Sequence, residues 1–226
     1  MNADLCIPRT LPVMTLSNTV FFPHAMLPLY IFEPRYRQML EEALQGDRLF
    51  VVAREDVLRG QSTGEFEPPF PVATVGVIRA SHQEDDGCSH LILQGLARVK
   101  FSRIVREQPY RLGEFEALSS IGGGDDTLSD MRSQLADAVR SRQCLATEEP
   151  AEIYDFLDDL ADPETYLDLV SFTLCDDSDT KQQLLETLDT RRRYRRLLDY
   201  LQRTNDQLRL EKQLRGNLKE DRLDRN

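Results

Sequence analysis

The chain has 226 residues, 40% of them apolar and 30% charged, with a formal net charge of −11. That length suffices for one large domain or two small ones that bury roughly 70% of the surface exposed in the unfolded chain. The composition suits a soluble globular protein, no window approaches about 18 uninterrupted apolar residues, and the acidic balance disfavours general nucleic-acid binding, which needs cations to replace phosphate counterions.

The opening MNADLCIPRT lacks a basic region followed by an apolar one, so no signal peptide is expected and the cytoplasm is the expected location. Residues 11–16 and 27–32 are short apolar runs, the second alternating around Pro28. Glu33-Pro34 then opens a helix, because proline's missing N–H has no intrahelical role in the first turn. Tyr36, Met39, Leu40, Ala43 and Leu44 follow at helical spacing, and Gly46 stops it. Residues 49–53 (LFVVA) form a compact buried-strand run. Residues 55–71 are rich in Gly, Pro and charge and read as a long loop. Residues 71–80 and 88–105 read as strands, with the Asp86-Gly87 pair between them as a hairpin signal. Gly95 inside the second run marks a bulge or a close backbone approach. Residues 110–118 add one more strand.

The stretch 121–126 (IGGGDD) is a boundary, after which the rhythm becomes helical. Leu128, Met131, Leu135 and Val139 share a face; Pro150 opens a second helix bearing Ile153, Phe156, Leu157 and Leu160. Asp162-Pro163 opens a third, bearing Tyr166, Leu167, Val170 and Leu174. Thr180 and Gln183 have capping-box spacing for a fourth, which carries Leu184 through Leu201 and on to about Leu214, with Gly216 and the charged tail fraying. The fold class is therefore α+β with segregated halves: a β-rich part over 1–119 with one inserted helix, a linker over 120–126, and a helical part over 127–226.

Little catalytic chemistry is visible. None of Lys100, Lys181, Lys212 and Lys219 follows a glycine, so there is no GxxxxGK phosphate loop. The four cysteines, Cys6, Cys88, Cys144 and Cys175, form no CxxC pair, and His24, His82 and His90 show no zinc-ligand spacing beside them. They read as separate reduced thiols, and neither metal nor cofactor is expected. Adjacent acids such as Asp158-Asp159 point in different directions on a helix and make poor acid–base pairs. The Asp176–Asp179 run (DDSD) fits a helix cap better than a calcium loop. Residues 144–180 hold twelve acids and no Lys or Arg, whereas Arg191, Arg192, Arg193, Arg195 and Arg196 form the one basic cluster; these arginines cannot all lie on one helical face.

Separated pieces of the chain resemble, in order, the Lon N-terminal family, the substrate-binding domain of Lon proteases. They are Leu11-Pro12-Val13 with Val20-Phe21-Phe22-Pro23; Leu27-Pro28-Leu29 with Ile31-Phe32-Glu33-Pro34-Arg35-Tyr36; Val75-Gly76-Val77-Ile78; Leu93-Gln94-Gly95 with Ala97-Arg98-Val99; and Lys181-Gln182-Gln183-Leu184-Leu185-Glu186. The resemblance implies a PUA-like β-barrel with one inserted helix, followed by a helical bundle. The family's ATPase and its Ser–Lys protease domain have no counterpart here, so the expectation is a stand-alone, non-catalytic module. Its expected partners are unfolded polypeptide or a protein, including a separate ATPase or protease, with no membrane. An RNA-binding PUA-like module is the alternative, by fold analogy. Residues 32–36 carry two readings. In one they form a strand-to-helix corner with Phe32 and Tyr36 in the core and Arg35 paired with Glu33 or a neighbouring carbonyl. In the other they wall a site for an extended peptide, which binds through strand edges and apolar pockets. The peptide-binding candidates are Phe32, Glu33, Arg35, Tyr36, Gly95 and Arg98.

Overall fold

The computed structural model describes residues 7–122, 126–145 and 150–223, with side chains through Leu214 in the last stretch. Cys6 and residues 123–125 of the expected linker lie outside the described residues.

The first half supplies six strands: β1 (Thr10–Leu16), β2 (Met26–Ile31), β3 (Leu49–Arg54), β4 (Val72–Gln83), β5 (Ser89–Arg106) and β6 (Arg111–Leu118). They form one mixed sheet in the order β2-β5-β4-β3-β1-β6, and β5 also pairs with β6. The fold is α+β, as expected. β1 and β3 run parallel, with Val13 opposite Val51, and every other pairing is antiparallel. Parallel neighbours need a crossover rather than a hairpin, and here it contains β2 and the helix α1 (Pro34–Gln45). β3 lies between β4 and β1 and is buried along its middle four residues, which explains its unbroken apolar sequence. Leu11, Val13, Val51, Ala53, Ala73, Val75, Val99 and Phe115 form the core cluster on the inner face. Each leucine, valine or phenylalanine among them, fully buried, contributes about 1.5–3 kcal/mol.

Two local signals act as anticipated. Gly87 adopts φ +83° in the β4–β5 turn, where Glu84 N–H donates to the Cys88 carbonyl at 2.8 Å. Gly95 sits at a bulge, where Val75 pairs with Ala97 but Gly76 pairs with Gly95. A Cβ on Gly95 would stand 2.1 Å from the Phe22 carbonyl oxygen, and the Gly95 backbone bonds to both His24 and Ala25. The strand can therefore take no side chain there.

Helix α1 starts after Glu33 and ends at Gly46, burying Tyr36, Met39, Leu40 and Ala43; Leu44 is exposed. The loop expected over 55–71 is instead interrupted by a second inserted helix, α2 (Val57–Thr63). Asp56 caps it by accepting from Arg59 N–H at 3.0 Å, and Gly64 closes it in the left-handed region. The Gly/Pro density of the segment lies around this capped turn and masks it.

The second half supplies α3 (Asp126–Leu145), α4 (Ala151–Asp158), α5 (Pro163–Leu174), α6 (Ser178–Glu186) and α7 (Thr190–Leu223). The long fourth helix expected from the sequence is two helices. Thr187 is extended at φ −81°, ψ 108°, and Asp189 recaps the chain by accepting from Arg192 N–H at 2.9 Å. No proline or glycine marks this break. Asp177 caps α6 through Thr180 N–H at 2.7 Å, and Asp162 caps α5 through Thr165 N–H at 2.7 Å. α7 continues through Gly216 to Leu223, beyond the expected fraying point; one glycine among strong helix formers costs about 1 kcal/mol. In α4 the buried residues are Tyr154 and Leu157, whereas Phe156 is exposed.

The chain divides into two compact units, and the division is not linear. Unit one comprises Met1–Ser120 and Asp176–Leu188; unit two comprises Ile121–Cys175 and Asp189–Asn226. α6 thus groups with the strands, apart from the other helices of the expected helical part. The reason is polar anchoring of α6 to the sheet. Gln182 Nε2 donates to the Val72 carbonyl at 3.0 Å, Arg54 donates to the Ser178 carbonyl at 2.9 Å and to Asp179 at 2.7 Å, and Arg98 Nε donates to the Leu185 carbonyl at 3.2 Å. In unit two, α3 packs along α7, and Asn205 Nδ2 donates to the Ala138 carbonyl at 2.8 Å. No described helix is long and apolar enough to cross a membrane.

Candidate functional site

β2 pairs on one side only, with β5, in a register that sets Pro28 opposite Ile92 and Tyr30 opposite His90. Side chains alternate along a strand, so Leu27 and Ile31 turn into the core while Met26, Pro28 and Tyr30 share the outer face. Pro28 fits this edge because a proline within a sheet is tolerated where its nitrogen faces solvent. Phe32 continues the strip. Met26 is 47% exposed, Tyr30 46% and Phe32 58%, a run of large apolar side chains that a folded chain ordinarily covers. The Tyr30 and Phe32 rings stack at 6.1 Å, and Tyr30 lies 4.7 Å from the His90 ring. Beside them lies a cavity of about 460 Å³ lined by Pro28, Tyr30, Ala80, His82, His90 and Ile92, among others. The Tyr30 hydroxyl is pushed up to about 12, first by its hydrogen bond with Cys88, then by desolvation and by the negative charge of Glu84 and Asp86. It is thus a neutral donor at any physiological pH.

A second concavity, of about 700 Å³, is lined by Glu33, Arg35, Phe66, Glu67, Glu107 and Pro109, among others. Arg35 bonds Glu33 at 2.8 Å and grips Glu67 in a two-pronged pair at 2.8 and 2.9 Å. Its guanidinium lies 4.4 Å from the Tyr36 ring centre and 5.5 Å from that of Phe66. The bond to Glu67 raises the Arg35 pKa further above its already high value. Glu67 has φ +42°, and Arg111 donates to its carbonyl at 2.8 Å and to that of Phe66 at 2.8 Å. Glu67 is therefore held in the left-handed region from two directions.

The six residues singled out from the sequence fall into different environments. Phe32, expected in the core in one reading, is exposed on the aromatic strip. Glu33 and Arg35 wall the second concavity. Tyr36 is buried beneath it, its hydroxyl donating to the Thr15 carbonyl at 3.3 Å, and burial raises its pKa. Gly95 is buried against Phe22. Arg98 is 3% exposed, bonded to Leu185 and 6.0 Å from the Phe22 ring centre. Burial gives Tyr36, Gly95 and Arg98 a part in the architecture rather than on the surface. Met26, Tyr30, His90 and Phe66 were not singled out; the signal for the first two was the two-residue spacing from Met26 to Phe32 in a strand already carrying a proline.

The basic cluster does not form one surface. Arg193 is buried, pairing with Asp168 at 2.8 Å and Glu164 at 2.8 Å, while Arg192 turns outward beside Asp189.

Residues 10–203 match the model of the ATP-dependent protease La (LON) substrate-binding domain. The chain is similar to the Lon protease of Desulfosudis oleivorans, 25% identical over 95% of this chain and 26% of that protein. It is also similar to the Lon protease of Anaeromyxobacter dehalogenans, 28% identical over 90% of this chain and 24% of that protein. It thus spans about a quarter of the length of these relatives. The N-terminal domain of a Mycobacterium avium complex Lon protease shares the fold with a TM-score of 0.65 at 18% identity, covering 85% of this chain and 98% of that one. A Lon N-terminal domain protein from Xanthomonas campestris does so with a TM-score of 0.60 at 19% identity, covering 84% and 98%. On the family match over most of its length, the chain belongs to the Lon substrate-binding domain family.

Proposed function

We propose that this protein is a non-catalytic polypeptide-binding module, resembling the substrate-recognition part of Lon proteases, that engages extended chain on the exposed face of β2. The observation that carries this reading is the strip Met26–Pro28–Tyr30–Phe32: large apolar side chains on one face of an edge strand, next to a cavity, in a member of this family. An extended chain has the same two-residue side-chain period and can set alternate apolar side chains against such a strip. The first unit is read as a PUA-like barrel. What supports this is the second pairing of β5, which returns the order β5-β4-β3-β1-β6 to β5. Cys88, Cys144 and Cys175, outside any disulfide among the described residues, suit a cytoplasmic setting, and a separate ATPase or protease is the partner class that would make use of a captured chain.

The test is a fluorescence-anisotropy titration with a labelled, permanently unfolded protein. Saturable binding that is lost in a Tyr30→Ser/Phe32→Ser double variant, with circular dichroism unchanged, is the expected result. Absence of saturable binding up to about millimolar concentration, a Kd ceiling worth only about 4 kcal/mol, by demonstrably folded protein refutes the reading.

A further inference from the structure

The aromatic strip ends at a carboxylate-rich turn, and this gives the face a direction. The Glu84 carboxylate lies 3.1 Å from His90 Nε2 and 3.5 Å from the Tyr30 hydroxyl, both residues that line the cavity. Asp85 and Asp86 follow in the same turn. Among the described residues, neither Glu84 nor Asp85 is ion-paired with a lysine or arginine. Arg37 approaches the turn but donates to the Asp86 backbone carbonyl at 3.2 Å. At the other end of the strip, Met26 lies opposite Gln94, and Arg79 reaches the Gln94 side chain at 2.6 Å. Met26 and Tyr30 are about 13 Å apart along the strand at ~3.3 Å per residue. The face therefore has an anionic end, an apolar middle and a cationic end.

Backbone pairing alone does not set the partner's orientation here. Pro28 has no N–H to give to an added strand, so the ladder on the outer edge of β2 is interrupted at its centre. Side-chain chemistry must supply the rest. A cation placed at Glu84 meets a carboxylate that no described lysine or arginine holds, its contacts being His90 and the Tyr30 hydroxyl, whereas a carboxylate there is repelled.

We infer that this face selects extended segments that carry apolar side chains at alternate positions bordered, at the β4–β5 turn, by a lysine or arginine. The inference rests on the polypeptide-binding reading above and adds to it the sequence class of the bound segment.

The test uses the full chain and short labelled peptides that share one alternating apolar core and differ in flanking charge: lysine at one end, lysine at the other end, glutamate, or glutamine. Both lysine peptides bind about tenfold more tightly than the glutamate peptide at low ionic strength, because with the ladder interrupted at Pro28 either can set its lysine at Glu84. The preference shrinks in the Glu84→Gln/Asp85→Asn variant and again at about 0.5 M salt, where screening shortens the reach of exposed charges. Equal affinity for all four peptides, with binding still lost in Tyr30→Ser/Phe32→Ser, overturns the charge selection and leaves the polypeptide reading standing. Failure of both the peptides and the unfolded protein to bind overturns that underlying reading. Self-association in sedimentation equilibrium that disappears in Tyr30→Ser/Phe32→Ser shows the face to be a contact between copies, and overturns the inference.

Discussion

Arg193 Nη1 lies 2.8 Å from Asp168 Oδ1, and both side chains are 1% exposed. An ion pair this deep is supported by further bonds: Arg193 Nη2 also reaches Glu164 at 2.8 Å. Removing one partner strands the other charge in a low-dielectric interior, a loss of about 3–5 kcal/mol. Arg193→Met and Asp168→Leu are each expected to lower the unfolding free energy from urea titration by that margin, and the double variant to be less damaging than the two single losses added together. Strict additivity in the cycle would count against a coupled pair.

Gly95→Ala is expected to cost more than most core substitutions, at or above ~3 kcal/mol, because overpacking here meets backbone rather than a side chain that can rotate. The added Cβ would stand 2.1 Å from the Phe22 carbonyl oxygen. A denaturation midpoint within error of the parent would show that the loop preceding β2 moves away.

The Asp177 carboxylate is held below its usual range by hydrogen bonds from Thr180, side chain first and then backbone N–H. A folded pKa below the unfolded one means that the cap contributes fully above about pH 4 and fades as pH falls through the depressed value. Asp177→Ala is therefore expected to cost about 1 kcal/mol at pH 7 and to converge with the parent in strongly acidic buffer. Parallel urea titrations at neutral and acid pH read this directly. A gap that widens on acidification contradicts the sign.

Tyr30→Ser and Phe32→Ser are expected to change stability by no more than about 0.5 kcal/mol, since both side chains already face solvent. Their effect should fall on polypeptide affinity, with about a tenfold loss for each if they anchor the segment. Calorimetry on the free protein together with anisotropy on the complex separates the two effects.

Much of the fold was legible because its punctuation is chemical. Pro34, Pro163, Gly87 and Gly95 each act through a backbone requirement that reads the same in sequence and structure. Breaks made by ordinary residues were not legible. Thr187 turns extended between α6 and α7 while apolar spacing runs on, so the pattern shows one helix where there are two. Exposure was the harder quantity. Phe32 and Phe156 look like core residues by type, yet stand 58% and 55% exposed, because burial depends on which strand is an edge and which helix face is covered. Arg98 and Arg193 present the converse: charged residues taken inside because the fold provides a carbonyl or carboxylate for each.

The placement of α6 with the sheet changes what counts as a fragment of this protein. A chain cut at the Gly-rich stretch near residue 122 would carry every strand but not the helix whose Leu185 carbonyl receives the buried Arg98 guanidinium and whose Gln182 closes the Val72 carbonyl. Spatial integrity and sequence continuity do not coincide here. A shortened version of the first unit would need residues 176–188 returned to it, by circular permutation or by supply in trans as a synthetic helix.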